Sequence, residues 1–362
     1  MGERWTKEKA WAWYNSKPWI RGCNFIGSDC ANRIDQWQEE GFEERLVTAE
    51  REMELARQTG FNSIRLIVEY DVWDQQHDGF LQRFERYIDA ADRHGLTCCI
   101  VLANDCCVPK EQTKRTVFGQ QHYDLGYHGG RKHSPHDLPT GDPTYSILDE
   151  PEIAENYLNM ITELITIYRN DERVLMWNIF NEPGNRRGDL SLPIMERMFA
   201  AARAVDPIQP LTADLWSGIV VDGVPSTHIE QVALELSDVI SFHGYFDFES
   251  FKKLVKGLKA GGRPMICTEW LHRIMHNDVF DVFPYLMEEG IASFHWGLVA
   301  SYKTQYFEPW ERIWKEYKGT DWDLTKWQHD IYRPSLRPYD PREIELIREC
   351  CAKADRKFAE TR

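Results

Sequence analysis

The sequence predicts an α/β protein built as a single (β/α)8 TIM barrel. Eight short apolar runs alternate with amphipathic segments of helical period along the 362 residues, which is the element count of this fold. The runs are continuous rather than alternating, as expected for parallel strands that are covered on both faces. An open doubly wound sheet is the competing fold, but residues 22–27 (Gly-Cys-Asn-Phe-Ile-Gly) lack the GxGxxG turn that such sheets usually carry.

The elements follow in order from the apolar runs and from helix-terminating residues. Gly60 and Gly95 each end an amphipathic segment and supply a C-cap. The predicted strands are Ile20–Phe25, Ser63–Val68, Thr97–Ala103, Val174–Phe180, Pro210–Trp216, Val239–His243, Met265–Glu269 and Ala292–Trp296. The predicted helices are Leu46–Thr59, Phe80–His94, Glu152–Arg169, Leu192–Val205, His228–Leu236, Phe248–Ala260, Asp278–Glu289 and Pro341–Lys357.

One catalytic domain is predicted over 1–362, although the length alone suggests about two domains. Residues 1–19 form an N-terminal extension whose four tryptophans are expected to pack under the barrel or against the last helix. Long βα loops are predicted at 104–149 and 297–340, and such loops lie at the C-terminal face of a barrel, where the chemistry takes place. The four tryptophans are Trp5, Trp11, Trp13 and Trp19.

Composition excludes several classes of partner. The net charge of −15 argues against nucleic acid and anionic membranes, because both attract clustered Lys and Arg. No run of about 18 apolar residues is present, so no membrane span is expected. Without an apolar leader or a CxxC motif, the nine cysteines are expected to be reduced thiols in a cytoplasm. A periplasmic or secreted location is the alternative if the natural chain carries a leader, and the oligomeric state stays open.

Two glutamates end strands that otherwise consist of buried residues. Glu182 follows the apolar run Val174–Phe180, and Glu269 closes the run Met265–Glu269. A carboxylate at a buried strand end is costly unless a partner or a function justifies it. The two strands are three apart in the barrel, so their carboxylates are able to face each other across its mouth. Glycoside hydrolysis requires such a pair; the alternative is a salt-bridged structural role for each glutamate.

These residues resemble a known clan of enzymes. Residues 177–183 (Trp-Asn-Ile-Phe-Asn-Glu-Pro) and 268–270 (Thr-Glu-Trp) look like the strand-four and strand-seven motifs of the retaining (β/α)8 glycoside hydrolases, with the cellulase-like family 5 as the best match. The resemblance implies that Glu182 is the acid/base and Glu269 the nucleophile. It also implies that Asn181 binds the sugar 2-hydroxyl.

Four further positions fit the same resemblance in the expected strand order. Arg65 resembles the strand-two arginine that keeps the nucleophile ionised. His243 and Tyr245 resemble the strand-six pair, in which the Tyr hydroxyl orients the nucleophile. Trp296 resembles the strand-eight tryptophan that floors the catalytic sugar subsite. The resemblance covers nearly the whole chain and implies no metal and no organic cofactor.

The third strand departs from the family, in which a histidine is common at this strand end. Asn104 and Asp105 stand there instead and are expected to replace its contacts to the outer hydroxyls of the sugar. Asp214 and Trp216 end the fifth strand and are candidates to reach a bound sugar, with structural packing as the alternative. Aromatic residues on βα loops suit sugar stacking, although packing in the core or the loop is favoured for each one taken singly. They are Trp37, Trp73, Tyr306, Phe307 and Trp310.

The predicted function is a retaining β-glycosidase that acts on short oligosaccharides or glycosides, with exo-action favoured. Glu182 is expected to have a raised pKa and Glu269 to be charged. Carbohydrate is the expected partner. The alternatives are an endo-acting glycanase of the cellulase or mannanase type, a non-catalytic carbohydrate-binding barrel, and a metal-dependent hydrolase. The last would use a loop containing His122, His128, His133 and His136, which otherwise lines a sugar subsite or faces water.

Overall fold

The structure, a computed structural model, describes residues 2–107, 116–132 and 144–361. Eight parallel strands form one sheet that curves into a barrel. They are β1 Arg21–Asn24, β2 Ser63–Ile67, β3 Thr97–Val101, β4 Val174–Phe180, β5 Leu211–Ala213, β6 Ile240–His243, β7 Met265–Glu269 and β8 Ala292–Trp296. Their order in the sheet is β5-β4-β3-β2-β1-β8-β7-β6.

The barrel closes between β5 and β6 through residues just outside the regular strands. Leu215 donates its N–H to Ser241 O at 3.0 Å and accepts from His243 N at 2.8 Å. These bonds form an isolated parallel bridge between Leu215 and Phe242. The predicted (β/α)8 barrel is therefore confirmed, although β5 is shorter than the segment 210–216 that the sequence suggested.

Helices cover the outside of the barrel, and the eight predicted ones are present with small shifts at their ends. Gly60 and Gly95 adopt φ values of 106° and 70°, as C-cap glycines do. Four further short α-helices occur among the described residues: one precedes the first strand, and the other three lie in connections. No helix among the described residues is long and apolar enough to cross a membrane. The helices are α1 Lys7–Asn15, α2 Arg33–Trp37, α3 Phe42–Thr59, α4 Tyr70–Gln75, α5 His77–Arg93, α6 Pro151–Tyr168, α7 Leu192–Val205, α8 His228–Leu236, α9 Phe248–Lys259, α10 Val279–Glu288, α11 Glu311–Tyr317 and α12 Pro341–Glu360.

The N-terminal segment closes the bottom of the barrel. Trp5 is buried in a core cluster with inward-facing strand residues such as Met176 and Phe294. Its backbone N–H donates to Asp238 Oδ1 at 2.8 Å, and the Tyr14 hydroxyl donates to Gly290 O at 2.7 Å. The prediction that this segment packs under the barrel is confirmed for Trp5.

The nine cysteines all lie within the described residues and are free thiols. Seven are buried, mostly on strands and helices, where they pack as small apolar residues. The remaining two, Cys106 and Cys107, are half-buried in the loop after β3. That loop lies at the C-terminal face of the barrel, which makes their environment chemically different from that of the others.

Candidate active site

Two carboxylates meet at the C-terminal mouth of the barrel. Glu182 lies just beyond β4 and Glu269 is the last residue of β7. One carboxylate oxygen of each lies within 4.8 Å of the other and of a His243 ring nitrogen. Carboxylates of retaining glycosidases are about 5–5.5 Å apart, whereas inverting enzymes leave about 6.5–9.5 Å for a water. The close approach fits the retaining geometry.

Glu182 is held by three hydrogen bonds. Its Oε1 lies 2.6 Å from Nδ1 of His243. Its Oε2 accepts from Asn185 Nδ2 at 2.6 Å and from the Cys106 thiol at 2.9 Å. The backbone of Glu182 has a φ of 48°, a left-handed conformation that non-glycine residues adopt mainly where the surroundings enforce it. The carboxylate is therefore fixed in position before any substrate arrives.

The pKa shifts of this pair favour the proton on the imidazole. Burial raises the pKa of Glu182, but the hydrogen bond and the charge of His243 outweigh it and lower the pKa to about 2. Burial lowers the pKa of His243, but Glu269 and Asp214 outweigh it and raise the pKa to about 10. The raised pKa that the sequence suggested for Glu182 is contradicted, because the strand-six imidazole forms an ion pair with its carboxylate.

Glu269 is oriented by two donors. Arg65 Nη1 lies 2.8 Å from Oε1, and the Tyr245 hydroxyl donates to Oε2 at 3.0 Å. Burial raises the pKa of Glu269, while the charges of His243 and Arg65 oppose the shift. The contacts expected for Arg65 and Tyr245 are both present. They direct the carboxylate into the mouth of the barrel.

Arg65 contacts four other residues of the site, and it is almost fully buried. Its guanidinium donates to Asn24 Oδ1 at 2.6 Å, Asn181 Oδ1 at 2.6 Å and Asp214 Oδ2 at 2.8 Å, in addition to Glu269. Negative charges around it raise the pKa of Arg65 despite burial, with Asp214 the largest contributor. One guanidinium thus connects β1, β2, β4 and β7 with the end of β5.

Asp214 lies beneath the site and is fully buried. Besides Arg65 it accepts from Asn178 Nδ2 at 2.6 Å and from Thr268 Oγ1 at 2.7 Å. Trp216 donates its indole N–H to Pro183 O at 2.9 Å and so supports the turn after Glu182. Neither residue lines the active-site cavity. Asp214 therefore follows the packing alternative, whereas contact of the half-buried Trp216 with a sugar stays a prediction.

Asn104 and Asp105, which were expected to replace the family histidine, point in different directions from the turn after β3. Asn104 lines the cavity, and its Oδ1 accepts from Asn181 Nδ2 at 2.8 Å. Asp105 is buried away from the cavity, accepts from Gly184 N at 2.7 Å, and has its pKa raised to about 6 by burial. Asp105 therefore anchors the loop after β4 and is not a sugar contact. Cys106, which contacts Glu182, is the residue that the sequence analysis missed.

A cavity of about 260 Å³ opens in front of the two carboxylates. Trp296 lies on its wall, edge-on to Tyr306 at a centroid distance of 5.3 Å. The indole N–H of Trp296 is buried and has no hydrogen-bond partner among the described residues, which leaves a donor for a ligand. The wall is completed by aromatic residues that include Tyr245, Trp310, His128 and His329.

The other loop candidates lie elsewhere. Trp37 and Trp73 belong to the hydrophobic core, and Phe307 packs on Trp327 at a centroid distance of 5.1 Å. His122 is exposed and lies 3.0 Å from Asp124. His133 and His136 lie outside the described residues.

A cation could be held only by the catalytic carboxylates and their histidine among the described residues. Glu182, His243 and Glu269 form the one cluster of potential metal ligands found there. The Arg65 guanidinium lies 2.8 Å from Glu269 and already neutralises it. A bound metal would therefore compete with Arg65 for that carboxylate.

Comparison with solved structures shows the same fold in glycoside hydrolases. A GH5_18 protein from Streptomyces cattleya, solved with GlcNAc, matches with a TM-score of 0.58 at 12% identity over 95% of this chain and 81% of that chain. A family 5 mannosidase from Rhizomucor miehei matches with a TM-score of 0.58 at 14% identity over 95% and 94%. The exo-β-1,4-mannosidase Op5Man5 from Opitutaceae bacterium strain TAV5 matches with a TM-score of 0.57 at 16% identity over 94% and 60%.

The sequence itself carries the family assignment. The model of the cellulase family, glycosyl hydrolase family 5, matches residues 21–318, which is most of the chain. No curated protein matches the sequence. The matched region extends from the first strand of the barrel past the last one. The chain therefore belongs to glycosyl hydrolase family 5, and it is a retaining glycoside hydrolase.

Proposed function

We propose that this protein is an exo-acting retaining β-glycosidase of short oligosaccharides or glycosides. The observation that carries the proposal is the pair of facing carboxylates, with oxygens within 4.8 Å of each other. Each carboxylate has its own set of partners: Arg65 and Tyr245 on Glu269, and His243 on Glu182. This asymmetry suits two carboxylates that perform different steps.

In the first step Glu269 attacks the anomeric carbon of the bound sugar. The bond from that carbon to the leaving oxygen breaks as an ester bond to Glu269 forms, and Glu182 gives a proton to the leaving oxygen. The proton originates on His243 and crosses the 2.6 Å hydrogen bond to Glu182. The hydrogen bonds from Arg65 and Tyr245 weaken as one oxygen of Glu269 forms the ester and the carboxylate loses its negative charge.

In the second step water completes the hydrolysis. Esterification removes the negative charge of Glu269, which is the largest charge contribution to the raised pKa of His243. Glu182 is then a carboxylate and removes a proton from the attacking water, while the ester bond to Glu269 breaks. The sugar leaves with the configuration it had in the substrate.

Short substrates and exo-action are supported by the size of the cavity. Its volume of about 260 Å³ lies just below the usual range for ligand pockets, about 300–1,000 Å³. Loops after β1, β3 and β8 contribute to its walls. Several neighbours are named mannosidases, one of them exo-acting, so β-mannosides are the first substrates to examine.

The experiment is a screen of aryl β-glycosides followed by active-site variants. The panel contains the β-mannoside, glucoside, galactoside and xyloside, together with the α-L-arabinoside. Glu269→Ala is expected to abolish hydrolysis of the best substrate while the fold and sugar binding persist. Undiminished turnover by this variant would refute the assignment of Glu269. NMR of the first product should show the anomeric configuration of the substrate.

Product analysis separates exo-action from endo-action. A tetrasaccharide of the preferred sugar, labelled at its reducing end, should lose one sugar at a time under exo-action. Immediate appearance of labelled disaccharide would favour the endo-acting glycanase instead. If the panel binds without any turnover, the non-catalytic carbohydrate-binding barrel is the correct interpretation.

A further inference from the structure

Two arginines line the active-site cavity although they are far from the catalytic glutamates in the sequence. Arg33 begins α2 in the loop after β1, and Arg131 lies in the loop after β3. Both line the cavity that contains Glu182 and Glu269. Neither is used by the hydrolytic steps described above.

The arginines outnumber the carboxylates that reach them. Glu69, after β2, lies 3.3 Å from Nε of Arg33 through Oε2 and is the one ion-pair partner of Arg33 among the described residues. Arg131 has no carboxylate within ion-pair distance in that part of the chain. Asp71, the next carboxylate, binds the Thr116 hydroxyl and lines neither cavity. One side of the cavity therefore carries unneutralised positive charge within a protein whose net charge is −15.

The same arginines lie where two cavities meet. A second cavity adjoins the first and is bounded on its other sides by residues near Tyr70, Ile147 and Tyr157. Arg33, Glu69 and Arg131 line both cavities. A ligand that extends from the catalytic carboxylates toward the second cavity must pass these guanidinium groups.

The electrostatics of the cluster agree with this geometry. Desolvation and then the charge of Arg33 lower the pKa of Arg131, so the two guanidinium groups repel each other. Burial raises the pKa of Glu69 although both arginines oppose the shift. Guanidinium groups bind carboxylate and phosphate through paired, charge-assisted hydrogen bonds, and an anion between two of them relieves their repulsion.

We propose that Arg33 and Arg131 form a subsite for an anionic group of the substrate, so that the enzyme acts on an acidic glycoside. The group is a carboxylate, as in a uronic acid, or a phosphate ester, because both present the oxygens that a guanidinium binds. This inference rests on the proposed glycosidase function, since it names the class of substrate for that site. It concerns binding, so it can be tested in the absence of turnover.

The test measures binding to the full-length Glu269→Ala variant by calorimetry. The probes are 4-nitrophenyl β-D-glucoside, the corresponding glucuronide, the glucoside 6-phosphate, cellobiose and cellobiouronic acid. At least one acidic probe is expected to bind about tenfold or more tightly than its neutral counterpart, and to weaken as salt rises. The glucuronide and cellobiouronic acid report a carboxylate, and the 6-phosphate reports a phosphate ester.

The arginines are then replaced singly and together. Arg33→Gln and Arg131→Gln should each remove most of the preference for the acidic probe and weaken binding of the neutral probe far less. Arg33→Lys should restore part of the preference, because it keeps the charge and loses the paired donors. Lys132→Gln is the matched control, since Arg131 and Lys132 are both exposed cations but Lys132 lines neither cavity.

Three results would overturn the inference: equal binding of acidic and neutral probes, a preference that survives the double Arg33→Gln and Arg131→Gln change, or no binding of any acidic probe. Failure of the proposed function looks different. In that case the wild-type protein turns over neither the neutral glycosides of the panel nor the 4-nitrophenyl glucuronide and glucoside 6-phosphate, while the arginine-dependent preference for the acidic probe is still measurable.

Discussion

The Cys106 thiol lies 2.9 Å from Oε2 of Glu182 and donates a hydrogen bond to it. Cys106 and His243 therefore bind different oxygens of the proposed acid/base, since His243 contacts Oε1. A thiol is a weak donor, and burial together with the nearby carboxylate raises the pKa of Cys106 well above its ordinary value. The thiol stays protonated and stabilises the carboxylate form of Glu182.

Replacement of Cys106 by Ala should raise the pKa of Glu182, because a donor to the carboxylate form is lost. Glu182 is a carboxylate both before and after His243 loses its proton, so the basic limb of the kcat/KM profile is expected to stay in place. We expect the pKa of the Glu182 carboxyl, followed by an infrared difference titration, to rise by about 0.5–1 unit. Cys107→Ala is the control, since the Cys107 thiol is directed at Asn104 O at 3.7 Å and not at Glu182. An unshifted Glu182 titration in Cys106→Ala would remove this role.

Replacement of His243 by Asn should move the basic limb of the kcat/KM profile to lower pH. In the wild-type protein the pair loses its proton as pH rises through the pKa of His243, which is raised to about 10. Without the imidazole, Glu182 is a lone buried acid whose proton is lost at weakly acidic to neutral pH. The kcat/KM profile measured from pH 4 to 10 should therefore lose its alkaline activity. His122→Asn, at an exposed histidine, should leave the profile unchanged, and alkaline activity retained in His243→Asn would contradict the proton assignment.

Replacement of Asp214 by Asn should destabilise the fold by about 3–5 kcal/mol, because it leaves the buried Arg65 with less compensation. Chemical denaturation measures this loss. The kcat should fall while KM changes little, since Asp214 positions Arg65 and does not line the cavity. Asp89→Asn breaks an exposed ion pair with Arg93 and should cost less than about 1 kcal/mol. Equal effects of the two changes would show that Asp214 has no special role.

Replacement of Tyr245 by Phe removes the hydroxyl that lies 3.0 Å from Oε2 of Glu269. The nucleophile then loses one of its two orienting donors. We expect kcat to fall by about 10- to 100-fold with an unchanged melting temperature, because a hydrogen bond to a charged group contributes about 1.5–3 kcal/mol. Tyr285→Phe, at a tyrosine of α10 that packs on Phe248, provides the control for loss of a hydroxyl. A kcat equal to that of the wild type would show that Arg65 alone orients Glu269.

The barrel and its two carboxylates could be predicted because they depend on patterns along the chain. Continuous apolar runs specify parallel strands, and a polar residue at such a strand end must lie at the mouth of the barrel. Glu182 and Glu269 satisfy this rule, so the sequence brings them together without knowledge of side-chain orientation. Arg65 and Tyr245 follow for the same reason.

Other features depend on the direction in which a side chain points, and the pattern of apolar and polar residues does not specify this direction. Asp214 and Asn104 both follow a predicted strand core, yet one points beneath Arg65 and the other into the cavity. Cys106 belongs to an adjacent pair of cysteines that resembles the buried Cys98–Cys99 pair, and only the turn after β3 distinguishes it. The pKa of Glu182 depends on a 2.6 Å contact with His243 that spacing cannot specify.

The N-terminal segment that closes the bottom of the barrel affects the order in which the protein folds during synthesis. Trp5 binds Asp238 and Tyr14 binds Gly290, so each contact requires a residue that is synthesised more than 230 residues later. Contacts between such distant residues form late, because the intervening chain must first be ordered. During synthesis, the inward-facing residues at the base of the strands are therefore left uncovered by Trp5 until the final third of the barrel has been made.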